Sequence, residues 1–269
     1  MSSPVHGAPR RTRDPWFVRT AAAVAAAFFL LPLIGLLWRA PWGQFTSEVT
    51  SPEVLSALRL SLVCSLAAVA LSAALGLPLA WVQARGAFPG RSVLRGVTLL
   101  PIVLPPVVGG VALLAAFGRR GFVGQWLDSA FGVRLPFSAP GVVLAETFVA
   151  MPFFVLTLEG AFRSVDRRFE DAARTLGADR WRVFVRVTLP LVRPSLLAGA
   201  LLCWARALGE FGATITFAGN FPGRTQTVPL AVYVLLESRP EAGIALSVLL
   251  MAVSLAVLVA LRDRWVRAL

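Results

Sequence analysis

At 269 residues, 57% of them hydrophobic and only 15% charged, the chain is too apolar for an ordinary soluble domain, in which about a quarter of residues carry charge. Its formal net charge of +12 does not point to nucleic acid, because a nucleic-acid binder gathers its cations on one surface and here they punctuate long uncharged runs. All 26 basic residues are Arg, the one His is His6, and Cys64 and Cys203 lie inside apolar runs. That inventory supplies no Walker A lysine, no His/Cys metal centre and no Ser-His-Asp or Cys-His catalytic set.

A membrane-crossing helix needs about 20 mostly apolar residues, and six stretches reach that length, at about 20–38, 60–84, 96–118, 137–162, 194–217 and 242–261. None alternates apolar with polar as barrel strands do, so the expected fold is all-α, a polytopic six-helix membrane bundle over residues 20–262. Polar tails flank it at 1–19 and 263–269. The first run follows Arg10, Arg11, Arg13 and Arg19 as a signal peptide would. It nevertheless continues through Leu33 and Ile34 to Trp38 without a persuasive small-x-small cleavage site, and reads as a retained span.

Within the third run, Pro105-Pro106 and Gly109-Gly110 predict a kink and a close backbone approach, with packing preferred over a gate. The fourth run carries Glu146 shortly before Met151-Pro152. A carboxylate there is either a hydrogen-bonding structural group or a functional one, and it would repel an anion. Orientation follows from Arg placement. With the N-terminus inside, 18 Arg fall in cytoplasmic segments and six outside, which puts both termini in the cytoplasm. The outer loop with Arg119, Arg120 and Arg134 runs against the rule.

The longest inner loop, residues 166–190, reads as an acidic-to-basic helix, a Gly suited to a left-handed turn, a second short helix, and a Leu-Pro that restarts the chain. By pattern alone it is an amphipathic connector. Its spacing, however, resembles the EAA loop of ATP-binding-cassette importer permeases: Asp171, Ala172 and Ala173, three residues, Gly177, nine residues, Val187, one residue, then Leu189-Pro190. Asp171 stands where Glu is usual. The resemblance implies a type I importer permease fold in the bacterial cytoplasmic membrane. It further implies that Glu170, Asp171, Ala172, Ala173, Leu176, Gly177, Leu189 and Pro190 form the part that docks into an ATPase. The implied partners are a second copy of the chain, two ATP-binding subunits holding the ATP and Mg, a soluble extracytoplasmic binding protein and membrane lipid. This chain would hold no cofactor or metal and catalyse no reaction itself.

The fifth run contains Arg206 and Glu210. Each costs about 2.5 to 3.5 kcal/mol at the centre of a membrane helix, and counting from Pro194 places them roughly 18 and 24 Å along it, in the outer half. Four residues apart, they share a helix face. Two readings stand side by side. One is a self-neutralising ion pair; the other makes Arg206 a station for an anion, with Glu210 limiting how tightly it is held. Gly209, Gly212, Thr214 and Thr216 would then present backbone and hydroxyl donors near the outer mouth.

The stretch Ala205–Asn220, followed by the Thr225-Gln226-Thr227-x-Pro229-Leu230 segment, is similar to molybdate permeases. Gly118-Arg119-Arg120-Gly121 and the 104–110 run add to that likeness. Sulfate permeases share the Arg-x-x-Gly-Glu-aromatic-Gly part but less of the second segment. The implied cargo is therefore molybdate or tungstate, with sulfate or thiosulfate as the alternative. A secondary transporter would need its own ion-coupling site or repeats, and neither is visible.

Overall fold

The computed structural model describes residues 15–265, with side chains to residue 259. The tail of residues 1–14, with His6, Arg10, Arg11 and Arg13, and the last four residues lie outside the described residues. Every regular element among the described residues is helical, as an apolar solvent requires of a chain that must satisfy its own backbone groups.

The described residues fall into two compact units that divide after Ala40. The first contains α1 (Trp16–Trp38), whose 23 residues reach about 34 Å, enough to cross a bilayer. Trp at both ends suits the two interfaces.

In the second unit, α2 (Phe45–Val49) leads into α3 (Pro52–Arg85). α3 buries Ala57, Ser61, Ser65, Ala68, Ser72, Gly76 and Ala80, small residues three or four apart. In a membrane, where apolar transfer does not draw helices together, such a stripe lets backbones approach and gain dispersion contacts. What it approaches is α7 (Ala139–Ser164), the most buried of the membrane-length helices among the described residues. A Cβ at Gly76 would stand 3.0 Å from the Phe154 ring. α7 also packs on α10 (Leu189–Leu208), so that Phe154, Leu158 and Phe162 fill the space between α3, α7 and α10 together with Cys203 and Ala207.

The third apolar run is two helices. α4 (Arg91–Val103) stops at Leu104, and α5 (Pro106–Phe117) begins after Pro105. Proline has no N–H to continue a ladder and disfavours helical geometry in the residue before it. α5 then turns by 47° into α6 (Phe122–Phe131). The fifth run also divides. α10 ends at Leu208 and α11 (Gly212–Ala218) restarts after three intervening residues. α12 (Val228–Ser238) and α13 (Pro240–Trp265) complete the unit, sealed against α3 by Val54, Ala57, Ala231, Leu235 and Leu246. Among the described residues, five helices are long and apolar enough to cross a membrane, and the bent pair α5–α6 makes a sixth if counted as one span.

α5 and α11 meet closely. A Cβ on Gly110 would lie 2.5 Å from Thr216 Cβ and 3.0 Å from the Ala213 carbonyl oxygen. Gly110→Val is therefore expected to force the two helices apart. Overpacking of this kind costs about 1–3 kcal/mol, and the melting midpoint of the detergent-solubilised protein should fall by several degrees. An unchanged midpoint would show that the contact yields easily.

Candidate coupling and translocation sites

Between α7 and α10 the chain forms α8 (Arg167–Thr175), a turn at Gly177, α9 (Arg180–Val183) and a single π turn, Phe184–Thr188. The local chemistry explains each piece. Asp166 and Asp179 begin the two helices, their Oδ1 atoms accepting hydrogen bonds from Arg168 N at 2.9 Å and Arg182 N at 2.8 Å, as N-caps do. Gly177 has φ +83°, the left-handed region a helix stop favours. Its N–H donates to the Arg174 carbonyl, and the Ala178 N–H donates to that of Ala173.

The predicted coupling residues divide by exposure. Leu176 is 88% exposed, and Asp171, Ala172, Gly177 and Pro190 are also on the surface, while Ala173 and Leu189 are half-buried. With Phe169, also exposed, they make a protruding corner. Glu170 differs, at 5% exposure. Its Oε1 accepts hydrogen bonds from Arg85 Nη2 at 3.2 Å and Thr188 Oγ1 at 3.1 Å, and Arg174 lies 3.8 Å from its Oε2. Glu170 is turned into its own chain and is no part of the protruding corner. The resemblance could not show this, because Arg85 is 85 positions away in sequence.

A second buried carboxylate, Glu159, lies inside the fourth apolar run with no role assigned to it from the sequence. Glu159 accepts from Arg95 Nε at 3.1 Å and Arg163 Nη2 at 2.5 Å, tying α4 to α7. Its i,i+4 spacing to Arg163 was the one local clue.

At the opposite end of α10, Arg206 Nη2 lies 2.7 Å from Glu210 Oε2. The pair forms, but not on one continuous helix face, since the helix ends at Leu208 and Glu210 belongs to the break. From there Glu210 Oε1 accepts the Ala213 N–H at 2.8 Å, satisfying one of the orphan donors in the first turn of α11. Glu210 is 1% exposed and the Arg206 side chain 28%, so one carboxylate holds the start of α11 while holding a guanidinium that reaches the surface.

The structure separates the other predicted pathway residues. Gly209 is exposed. Gly212 is buried, and a Cβ there would meet Pro106 Cβ at 2.7 Å, so it serves helix approach and leaves no backbone open. Thr214 is fully buried, and its Oγ1 has no hydrogen-bond partner among the described residues. Thr216 is half-buried and donates to the Gly212 carbonyl at 2.8 Å. Glu146 is 1% exposed with Oε2 likewise unpartnered.

The Thr225-Gln226-Thr227 segment is buried. Thr225 Oγ1 accepts from Phe221 N, and Val228 N donates to Ser61 Oγ at 2.7 Å, pinning this loop to α3. No group of three or more His, Cys, Asp or Glu suited to a metal ion occurs among the described residues.

A bundle with broken helices, a protruding helix–Gly–helix corner at one end and a charged break at the other is the build of a transport-system membrane component. Residues 72–269 match the family described as binding-protein-dependent transport system inner membrane component, and the chain belongs to that family of multi-pass inner-membrane proteins. It is similar to the molybdenum transport system permease protein ModB of Mycobacterium bovis, 46% identical over 242 residues that cover 89% of this chain and 90% of that one. It is also similar to the sulfate transport system permease protein CysT of Escherichia coli, 36% identical over 238 residues, covering 87% and 86%. Among solved structures, a chain of a bacterial alginate ABC transporter in complex with alginate pentasaccharide-bound periplasmic protein has the same fold. Its TM-score is 0.73, at 17% identity and with 91% of this chain and 92% of that one covered. The chain is thus a transporter subunit with the fold of an ABC importer permease.

Proposed function

We propose that the chain is the permease subunit of an ATP-driven importer of molybdate or tungstate. Two copies side by side would enclose the pathway, with both termini in the cytoplasm. Two ATP-binding subunits would lie below, and an extracytoplasmic oxyanion-binding protein above. ATP and Mg belong to the ATPase. The exposed corner around Leu176 and Gly177 is the surface offered to that partner, and closure of the ATPases would draw the two corners together and turn the pathway outward.

The observation that carries the substrate class is Arg206. A guanidinium in the outer half of a membrane bundle is costly unless it meets water, a carboxylate or an anion, and this one meets a buried carboxylate on one side while staying partly open on the other. Its remaining N–H groups suit a tetrahedral oxyanion. Glu210 fixes the guanidinium and tempers its charge, so that an anion can leave as well as arrive. The choice of molybdate over sulfate is supported by the greater similarity to a molybdenum permease, 46% against 36%. Sulfate or thiosulfate import is the second reading, favoured by the Arg-x-x-Gly-Glu-aromatic-Gly part shared with sulfate permeases.

Competition in proteoliposomes containing the complete complex tests this. Unlabelled tungstate is expected to suppress molybdate uptake about as well as molybdate does. Sulfate should need at least about tenfold more, a difference of about 1.4 kcal/mol. Sulfate competing as well as tungstate would favour the second reading, and uptake that proceeds without the ATPase would remove the importer reading altogether.

A further inference from the structure

We infer that Arg85 and Glu170 form the mechanical link through which displacement of the coupling corner reaches the membrane bundle. This rests on the importer reading above and assigns Arg85, Thr188 and Glu170 as positioning residues, none of which touches the cargo.

The geometry is a junction of four helices built from three side chains. Arg85 is the last residue of α3. Its Nη2 donates to the carbonyl of Val165, the C-cap of α7, at 3.0 Å, and to Glu170 Oε1 of α8 at 3.2 Å. The same Oε1 accepts from the hydroxyl of Thr188, immediately before α10, at 3.1 Å. Both charged side chains are largely withdrawn from solvent, at 13% and 6% exposure. The Arg85 guanidinium also lies 5.8 Å from the centre of the Trp81 ring.

The backbone offers one other route, since α9 runs through the π turn into α10 as a single helix, Arg180–Leu208, and the remaining side-chain routes are few. α8 packs chiefly on α9 and the π turn, and a cleft of about 920 Å³ opens between the inner end of α3 and the corner, lined by Trp81, Arg85, Glu170, Arg174, Trp181 and Phe184 among others. Across it, the second tie is aromatic. Trp81 meets Phe162 and Phe184 edge-on at 5.1 and 5.0 Å, and Trp181 stacks on Phe184 at 6.1 Å. Aromatic contacts of this kind resist separation but have shallow preferences in angle, whereas charge-assisted hydrogen bonds are directional and stronger. A push on α8 therefore passes through Glu170 to α3, α7 and the foot of α10 at once. The π turn between α9 and α10, an irregular ladder of the sort found at functional sites, is the place where the chain can adjust.

The readout is the ratio of molybdate taken up to phosphate released in proteoliposomes holding the complete complex, recorded beside the yield of assembled complex. Glu170→Gln is expected to lower that ratio about tenfold, within the usual span of coupling between distant sites. The single variant strands the Arg85 charge, which can harm folding by itself, so Arg85→Met/Glu170→Leu is the decisive variant, because it removes both charges together. That double variant is expected to assemble with the ATPase in wild-type yield and yet keep the ratio lowered about tenfold. If its ratio returns to within about twofold of wild type, the two charges merely neutralise each other and the proposal is overturned. A loss of assembled complex with an unchanged ratio in what remains overturns it equally. A wild-type complex that hydrolyses ATP while taking up no molybdate, tungstate or sulfate would instead remove the importer reading, and this inference with it.

Discussion

Uptake of molybdate by a complex carrying Arg206→Ala is expected to fall about 10- to 100-fold, corresponding to charge-assisted hydrogen bonds of about 1.5–3 kcal/mol. The difficulty is that Arg206 has a structural task as well, because it is the cation beside a carboxylate that is 1% exposed. Removing one member of a buried pair leaves the other uncompensated, and a lost bundle could pass for a lost anion site. Glu210 gives a way to separate the two. Its Oε1 accepts the Ala213 N–H, a bond that a Gln side-chain oxygen can also accept. Arg206→Ala/Glu210→Gln therefore removes both charges and preserves the start of α11. If the pair is only a bundle lock, uptake in this double variant recovers to near wild type. If Arg206 is the station for the anion, the double variant folds and assembles, and uptake stays down by about the same 10- to 100-fold. Measuring assembled complex by size-exclusion alongside uptake tells these outcomes apart.

How much of this was legible beforehand depended on whether the cause was local. The break before α5 could be read from Pro105-Pro106, because the missing N–H and the steric clash act on neighbouring residues. The helix–Gly–helix course of residues 166–190 was legible for the same reason, with Asp caps and a left-handed Gly each acting within a turn. The break at Gly209–Phe211 was not. Apolar residues continue on both sides of it, single glycines are tolerated in membrane helices, and what ends the helix is a carboxylate recruited to cap the next one. Gly212 and Thr214 read as open donors near a mouth, but both are buried, Gly212 by the close packing of α11 on α5 at Pro106. The partner of Glu170 was out of reach altogether. Arg85 is separated from it by four other helices in sequence, α4 to α7, and the parallel packing of α7 along α3, which sets their C-terminal ends side by side, brings the two together. Sequence spacing grouped Glu170, which is 5% exposed, with residues such as Leu176 that face outward.

Replacing Gly177 with Trp is expected to abolish copurification with the ATPase subunit while leaving the chain folded, and the reason is the emptiness around that residue. A Cβ added to Gly177 meets no atom within 4 Å, so the protein itself has room for a side chain there. Two effects then remain. One is backbone strain, because φ is +83° and an ordinary L residue in the left-handed region costs about 1–2 kcal/mol. The other is the bulk presented to whatever receives the corner. Asn and Ala divide them. Asn enters the left-handed region readily, so Gly177→Asn adds bulk at little strain, whereas Gly177→Ala adds strain with hardly any bulk. If the corner is seated in a close-fitting partner groove, copurification should fall in the order Gly, Ala, Asn, Trp, following side-chain size. If strain in the turn governs the outcome, Ala should be worse than Asn. Full retention of the ATPase by Gly177→Trp would mean that this corner is not the docking surface, and the place where the ATPase engages the chain would have to be sought elsewhere on its cytoplasmic face.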